Sequence, residues 1–491
     1  MRIQLIHIIF FITIASVLFS CKKEFEGTLN ANQAPNTFTI IDTIIRFGDD
    51  RLTSQVTLNW WGNDADGFIV GYEYTFDEII SDATIWSYIE IQDSTFILAP
   101  AQGEDTANYV FHIRAIDNDG LSDPTPAQLV IPVKNSPPTI VFTPGINNPK
   151  KSFPVLKYYW GAGDPDGENN VEYFQLYFND TTASPYILDK TVTSVLFHAQ
   201  DATADNFICN VFSNASSIAE EETINGLSAN VWNKLYIRAI DQSGAMSTFA
   251  ISDSVFVKQV TSSILLVDGY TATSPINFYV DNLSENGFSV LDTIKIFEEI
   301  AGAYTQQSAD NITQGKVFNL FDIIIWFSND ANNSFSLAQK TTNDFFIDNG
   351  KMLMSVYISS SFDPLSNFLD FTPIASLIDP SDTTLILDLG AQLNPTDVDY
   401  PVLQGTSIVG IVKPIALQPG ATELYNADLT AKNNITLEFS PWTGNSTVIA
   451  KKINTGGETN FVISTLEIQK LDGLLNMNDF FQKILIDEFG L

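Results

Sequence analysis

Two short acidic runs hold the side chains best suited to chemistry in this chain. Residues 58–67 read Leu-Asn-Trp-Trp-Gly-Asn-Asp-Ala-Asp-Gly and supply Asp64 and Asp66. Residues 111–120 read Phe-His-Ile-Arg-Ala-Ile-Asp-Asn-Asp-Gly and supply Asp117 and Asp119. Four carboxylates on neighbouring loops, with carbonyls and water, suit Ca²⁺, which takes about six to eight oxygens. Asp64, Asp66, Asp117 and Asp119 are therefore a candidate calcium site. The alternative is that Asp and Gly are simply good turn formers, and no complete Ca²⁺ loop motif is present. Nucleophilic chemistry is poorly provisioned. The chain has two cysteines, Cys21 and Cys209, and three histidines, His7, His112 and His198. From residue 262 onward there is neither Cys nor His. Ser359–Ser361 could serve as nucleophiles only with a base in hydrogen-bond reach. Ordinary turn residues are the better reading of those serines. Gly269-Tyr-Thr-Ala-Thr-Ser matches no phosphate-binding glycine loop. Asp268, Asp330 and Asp363 lie near expected strand ends, where paired carboxylates could cleave glycosides, but no spacing singles out a pair.

The first residues carry an address. Arg2 precedes an apolar run from Ile3 to Phe19, and Leu18-Phe19-Ser20 leads into Cys21. That order is a signal peptide, removed before folding. Leu18–Cys21 resembles a bacterial lipobox, which implies that Cys21 is acylated and that a lipid bilayer is a partner. Lys22-Lys-Glu-Phe-Glu26 resembles the export signal of Bacteroidetes surface lipoproteins, which implies an outer-membrane, surface-facing location. Residues 1–20 are then the leader and 21–32 a tether. No second apolar run approaches the ~18 residues of a membrane span. The net charge of −34 repels nucleic acid. With 45% hydrophobic residues and 36 Phe, the chain still has ample material for packed cores.

The acidic runs belong to a larger repeat. Trp60, Asp64, Asp66 and Gly67 recur as Trp160, Asp164, Asp166 and Gly167, an offset of 100 residues. Arg114-Ala-Ile-Asp117 recurs as Arg238-Ala-Ile-Asp241, an offset of 124. The second copy therefore holds 24 extra residues, placed near 200–228. Short runs of alternating polarity, such as Gln55-Val-Thr-Leu-Asn-Trp60, indicate half-buried strands. Two all-β sandwiches follow, 33–134 and 135–259, centred on Trp60 or Trp61 and on Trp160. The pattern resembles fibronectin type III and immunoglobulin-like modules. Asn135-Ser-Pro-Pro138 is the junction between the copies, and residues 258–262 read as a second exposed connector.

The period changes at residue 262. Ser263-Ile-Leu-Leu-Val-Asp268, Phe321–Ser328 and Gly350–Tyr357 are continuous apolar runs, as in strands covered on both faces. Helical stretches are expected at Pro275–Asn286, Ser336–Asn349 and Leu471–Phe489. Alternating strands and helices predict an α/β doubly wound domain over 262–491. Its elements resemble the flavodoxin-like class I glutamine amidotransferase superfamily. Catalytic members of that superfamily use a cysteine in the turn after the third of these strands and a later histidine; here the turn is Tyr357-Ile-Ser-Ser-Ser361. The resemblance thus implies a catalytically inactive domain. The expected whole is a non-enzymatic envelope lipoprotein, with the sandwiches as stalk and the α/β domain as recognition unit. The alternative is a carboxylate-dependent hydrolase of envelope or extracellular polysaccharide.

Overall fold

A computed structural model describes residues 31–40, 51–101, 103–145, 148–167, 169–270, 273–300, 303–306, 310–360 and 371–491. Cys21, Ser361 and Asp363 lie outside the described residues. The chain divides into two compact units, 1–136 and 137–491.

The first unit is a β-sandwich. Alternation along Gln55–Asn63 sends Val56, Leu58 and Trp60 inward and Gln55, Thr57, Asn59 and Trp61 outward. This strand lies between Asn36–Thr39 and Asp93–Ile97 in a three-stranded sheet. The facing sheet runs Leu52–Thr53, Ala127–Lys134, Thr106–Asp117, Ile69–Thr75, Ser87–Ile89. Trp60 is the centre, with its ring 5.7 Å from Phe111 and 6.3 Å from Tyr72. Trp61 is half exposed and stacks on Phe38. A one-residue difference in register decides which tryptophan is core.

The second unit begins with another sandwich. One sheet holds Thr139–Phe142, Val155–Gly163, Ser194–Ala199, Asn206–Ser213 and Thr223–Ser228. The other holds Tyr186–Asp189, Val171–Phe178, Leu235–Asp241 and Ala250–Ile251. The extra residues of this copy form Asn206–Ser213 and Thr223–Ser228, which extend the sheet at its edge. They are structured rather than a loop, because Phe207, Cys209, Val211, Ile224 and Leu227 enter the core.

Residues 264–464 contribute five parallel strands in the spatial order Asp292–Lys295, Ile264–Asp268, Ile323–Ser328, Lys351–Val356, Thr459–Ser464. Leu266, Ile325 and Leu353 face helix Ile276–Glu285 and helix Met477–Gln482. Val267, Trp326 and Met354 face helices Asn311–Phe318, Ala331–Thr341 and Asn343–Ile347. Cover on both faces explains the unbroken apolar runs.

Three expectations need correction. The helix expected over 336–349 starts earlier, where Asp330 accepts the Asn333 N–H, and is interrupted at Thr342. The terminal helix begins only at Met477, and its last turns, Lys483–Glu488, are π-helical. Most consequential is the stretch 374–453. It is β-structure, and four of its strands, Thr447–Ile453, Ala421–Ala427, Gln392–Pro395 and Leu403–Gln404, continue the parallel sheet antiparallel. The domain is therefore a mixed sheet, not a simple alternation of strand and helix.

Residues 258–262 are not an exposed connector. The Thr261 and Ser262 N–H groups donate to Asp292, and the Val260 N–H donates to Ala202. Phe153, Val155 and Leu196 of the second sandwich share a core with Val317, Phe318 and Phe321. Beside it, Lys157 Nζ donates to Asp310 Oδ2 at 2.6 Å, and the Tyr159 hydroxyl donates to the same oxygen at 2.8 Å. Asp310 also caps helix Asn311–Phe318 through its other oxygen. The sandwich and the mixed-sheet domain are thus one packed body.

Candidate functional site

The acidic loops of the first unit act on the chain itself. Asp117 Oδ1 accepts the N–H groups of Asp119 and Leu121, each at 2.9 Å. Its Oδ2 accepts from the side chain of Asn32 at 2.6 Å. Burial raises the Asp117 carboxyl's pKa, but these donors outweigh it and hold the group below the usual carboxylate range. Asp66 Oδ2 accepts the Gln33 N–H at 3.2 Å, and Asp64 Oδ1 accepts the Asp66 N–H. Asp119 accepts from Asn118. Gly67 packs directly against the loop side chains: a Cβ there would fall 2.2 Å from Asn118 Oδ1 and 2.4 Å from Asp64 Oδ2. No group of three or more His, Cys, Asp or Glu side chains placed to hold a metal occurs among the described residues. These aspartates tie turns, and Asp117 and Asp66 fasten Asn32 and Gln33 at the start of the module.

The second copy follows the same local logic. Asp164 accepts the Asp166 N–H and the Asn170 side chain, and Asp241 accepts the Ala245 N–H. The repeated Arg114 and Arg238 lie against aromatic rings. Arg114 sits 4.0 Å from the Trp86 ring centre and pairs with Glu73. Arg238 sits 4.9 Å from the Phe249 ring and bonds Gln175. The repeat signature is therefore a set of structural fasteners.

In open α/β sheets, ligands gather outside the carboxyl ends of the parallel strands, where the strand order reverses. Here that crevice lies beyond Asp268, Ser328 and Val356, and the protein's own side chains fill it. The buried Tyr270 hydroxyl donates to Glu467 Oε1 at 2.7 Å and accepts from Gln469 Nε2 at 2.6 Å. Lys470 pairs with the other oxygen of Glu467. Tyr279 donates to Gln469, and Ser355 accepts the Ile468 N–H. Burial, reinforced by the charge of Glu467, pushes the Tyr270 hydroxyl far above its usual pKa. Asp268 accepts the Tyr270 N–H, and Ser328 is bonded to Gly269 and Ser334. Asp330 is occupied as a helix cap. Asp268 and Asp330 are thus in structural use and do not form an open carboxylate pair.

Ser359 and Ser360 are exposed, and Ser359 borders a cavity of about 410 Å³ together with Asp379, Asp382 and Lys413. Lys413 is ion-paired with Asp379. Among the described residues of the second unit the histidine is His198, in the Ser194–Ala199 sandwich strand. Cys209 is fully buried, and burial pushes its thiol up to about 12. It is a small core side chain, as expected. Trp326 is core and Trp61 is exposed, while Trp86 and Trp442 are partly buried.

Sequence reasoning missed one feature. A groove of about 870 Å³ is at the opposite edge, by the amino ends of strands Lys351–Val356 and Thr459–Ser464. Its side chains come from helix ends and a hairpin turn, scattered over residues 339–461, so no local motif announces it.

No protein-family profile matches the chain, and no curated protein matches it. Among solved structures, the chain is similar to the fibronectin(III)-like modules of Clostridium thermocellum CbhA (12% identity, 46% of this chain and 95% of that one, TM-score 0.17). It is also similar to a two-domain fibronectin type III segment from chicken tenascin (12% identity, 46% of this chain and 100% of that one, TM-score 0.22). The central fibronectin III array of RIM-binding protein is a third (11% identity, 48% of this chain and 73% of that one, TM-score 0.15). The sandwich assignment rests on the strand orders given above.

Proposed function

We propose that this chain is a lipid-anchored cell-envelope protein that binds and positions a partner without transforming it. In this reading, acylated Cys21 holds it to the outer membrane and two fibronectin type III-like sandwiches form a stalk. The mixed-sheet domain is a degenerate flavodoxin-like recognition unit. Its parallel strands, numbered as they occur in the chain, lie in the order 2-1-3-4-5, which is the flavodoxin-like order. The observation that carries the non-catalytic reading is the filled crevice. Where a doubly wound enzyme keeps an open site, the buried Tyr270 and Glu467 hydrogen-bond each other and the half-buried Gln469 joins them. Among the described residues, the exposed Ser359 and Ser360 hydrogen-bond to no imidazole.

Two measurements test the reading together. Cys21→Ala should abolish incorporation of an alkyne-labelled fatty acid and move the protein from the membrane to the soluble fraction. Purified protein should turn over no amide, ester or glycoside substrate, and pull-down from intact envelopes should recover a partner. Turnover that disappears on Ser359→Ala or Ser360→Ala would falsify the non-catalytic assignment.

A further inference from the structure

The 870 Å³ groove falls within the roughly 300–1,000 Å³ typical of ligand sites. Five side-chain amides line it: Gln339, Asn343, Asn349, Asn454 and Asn460. Each primary amide presents both donors and an acceptor, which matches the donor–acceptor character of adjacent hydroxyls. Asn454 uses its Oδ1 to close the hairpin turn, accepting the Gly456 and Glu458 N–H groups, so its NH₂ remains to donate. The Oδ1 of Asn460 is out of solvent and has no hydrogen-bond partner, an unmet acceptor of the kind that a bound hydroxyl satisfies once the amide turns.

Apolar surface is present as ring faces. Phe346 and Phe371 are partly exposed and flank the buried Phe461, each with its ring 5.7 Å from that of Phe461. Such rings suit the C–H faces of a sugar. Charge is nearly absent. In a chain with net charge −34, the lining contributes one cation, Lys452, and one carboxylate, Glu458. Neither a metal ion nor a polyanion finds a complementary field there. A peptide adding as a strand would need an open sheet edge. Thr459–Ser464 is already paired on both sides, with Lys351–Val356 and Thr447–Ile453. We infer that this groove binds an uncharged oligosaccharide. The inference rests on the binding reading above and names its ligand class and site.

The test is calorimetric titration of the purified protein with an array of neutral oligosaccharides that includes cellohexaose, laminarihexaose and mannohexaose. Hexagalacturonate and a Gly-Ser-Asn decapeptide supply the charged and peptide arms. At least one neutral oligosaccharide should bind, and Gln339→Ala and Asn343→Ala should each weaken it about three- to tenfold without changing the melting curve. Hydrogen exchange on the unmodified protein guards against misfolded variants: the sugar should protect residues 339–349 and 452–461. Binding only of hexagalacturonate or the decapeptide, failure of every neutral sugar, or protection elsewhere would overturn the groove assignment. The two readings fail separately. A protein partner recovered from envelopes with no sugar bound leaves the scaffold reading standing. Turnover of a groove-bound sugar removes the non-catalytic reading and leaves the groove.

Discussion

Two lysines in the same packed body show how burial and pairing set opposite outcomes at the scale of one residue. Lys157 is buried, and burial alone would lower its pKa, but Asp310 and Tyr159 outweigh that and raise it. Lys258 lies 4.4 Å from the Phe153 ring centre and donates to the Thr293 carbonyl. Burial lowers it to about 8, the charge of Asp292 offsetting only part of the effect. Its folded pKa is below its unfolded value of 10.5, so the unfolded chain binds more protons between those values. Stability from this group is therefore fully present above pH 10.5 and is lost as pH falls through 8. Relative to Lys258→Met, the unmodified 137–491 unit should gain on the order of 2 kcal/mol between pH 7.5 and 10.5. Urea unfolding at the two pH values measures this, and parallel profiles for the two proteins would refute it. Neither lysine stands out in the sequence, because their partners are 153 and 35 residues away and no short motif encodes them.

The acidic turns belong to the scale of the element. The turns after the Arg-Ala-Ile-Asp strands need a glycine with positive φ, and Gly120 and Gly244 supply +90° and +91°. In both copies the Asp carboxylate then accepts an N–H from beyond that glycine, Leu121 in one and Ala245 in the other. The turn chemistry was legible because local spacing dictates it. The role of Asp117 in holding Asn32 was not, since nothing near Asn32 marks it as a partner 85 positions away. Both oxygens of Asp117 are engaged by N–H donors, so calcium should add little. The melting curve of the first unit should be the same with 1 mM-scale Ca²⁺ or with chelator, whereas Asp117→Ala should lower its midpoint under both conditions. A Ca²⁺-dependent rise that disappears in Asp119→Ser would restore the calcium reading, because ligand binding to the folded state alone raises stability by RT ln(1 + [L]/Kd). The long strands and the helix Ile276–Glu285 were legible from period and breakers. The strands of 374–453 were not, being short, irregularly spaced and paired across long separations, as Gln392–Pro395 is with Ala421–Ala427.

At the scale of the molecule, the composition change at residue 262 marks a change of secondary structure but not a break in packing. Hydrophobic period reports which face of an element is covered, not which element covers it. The apolar side chains of Phe153 and Val155 read equally well as sandwich core or as interdomain contact. They are the latter, because they pack with Val317, Phe318 and Phe321. Residues 262–491 produced alone would uncover that apolar surface. They would also remove Lys157 and Tyr159 from Asp310, leaving its carboxylate without its cation. The Asp310 side chain, 26% exposed in the whole protein, then meets water, so most of the loss comes from the uncovered apolar surface, set against the roughly 5–15 kcal/mol that holds a typical domain together. Residues 137–491 keep every one of these contacts. The expected outcome is a soluble 137–491 fragment that unfolds in one cooperative step, and a 262–491 fragment that aggregates or melts at least several degrees lower. Within the longer fragment, limited proteolysis should spare 258–262, where the backbone donates to Asp292 and Ala202. If the 262–491 fragment melts as high as the longer one, or if 258–262 is nicked first, then the shared core contributes little and the second sandwich is an independent module.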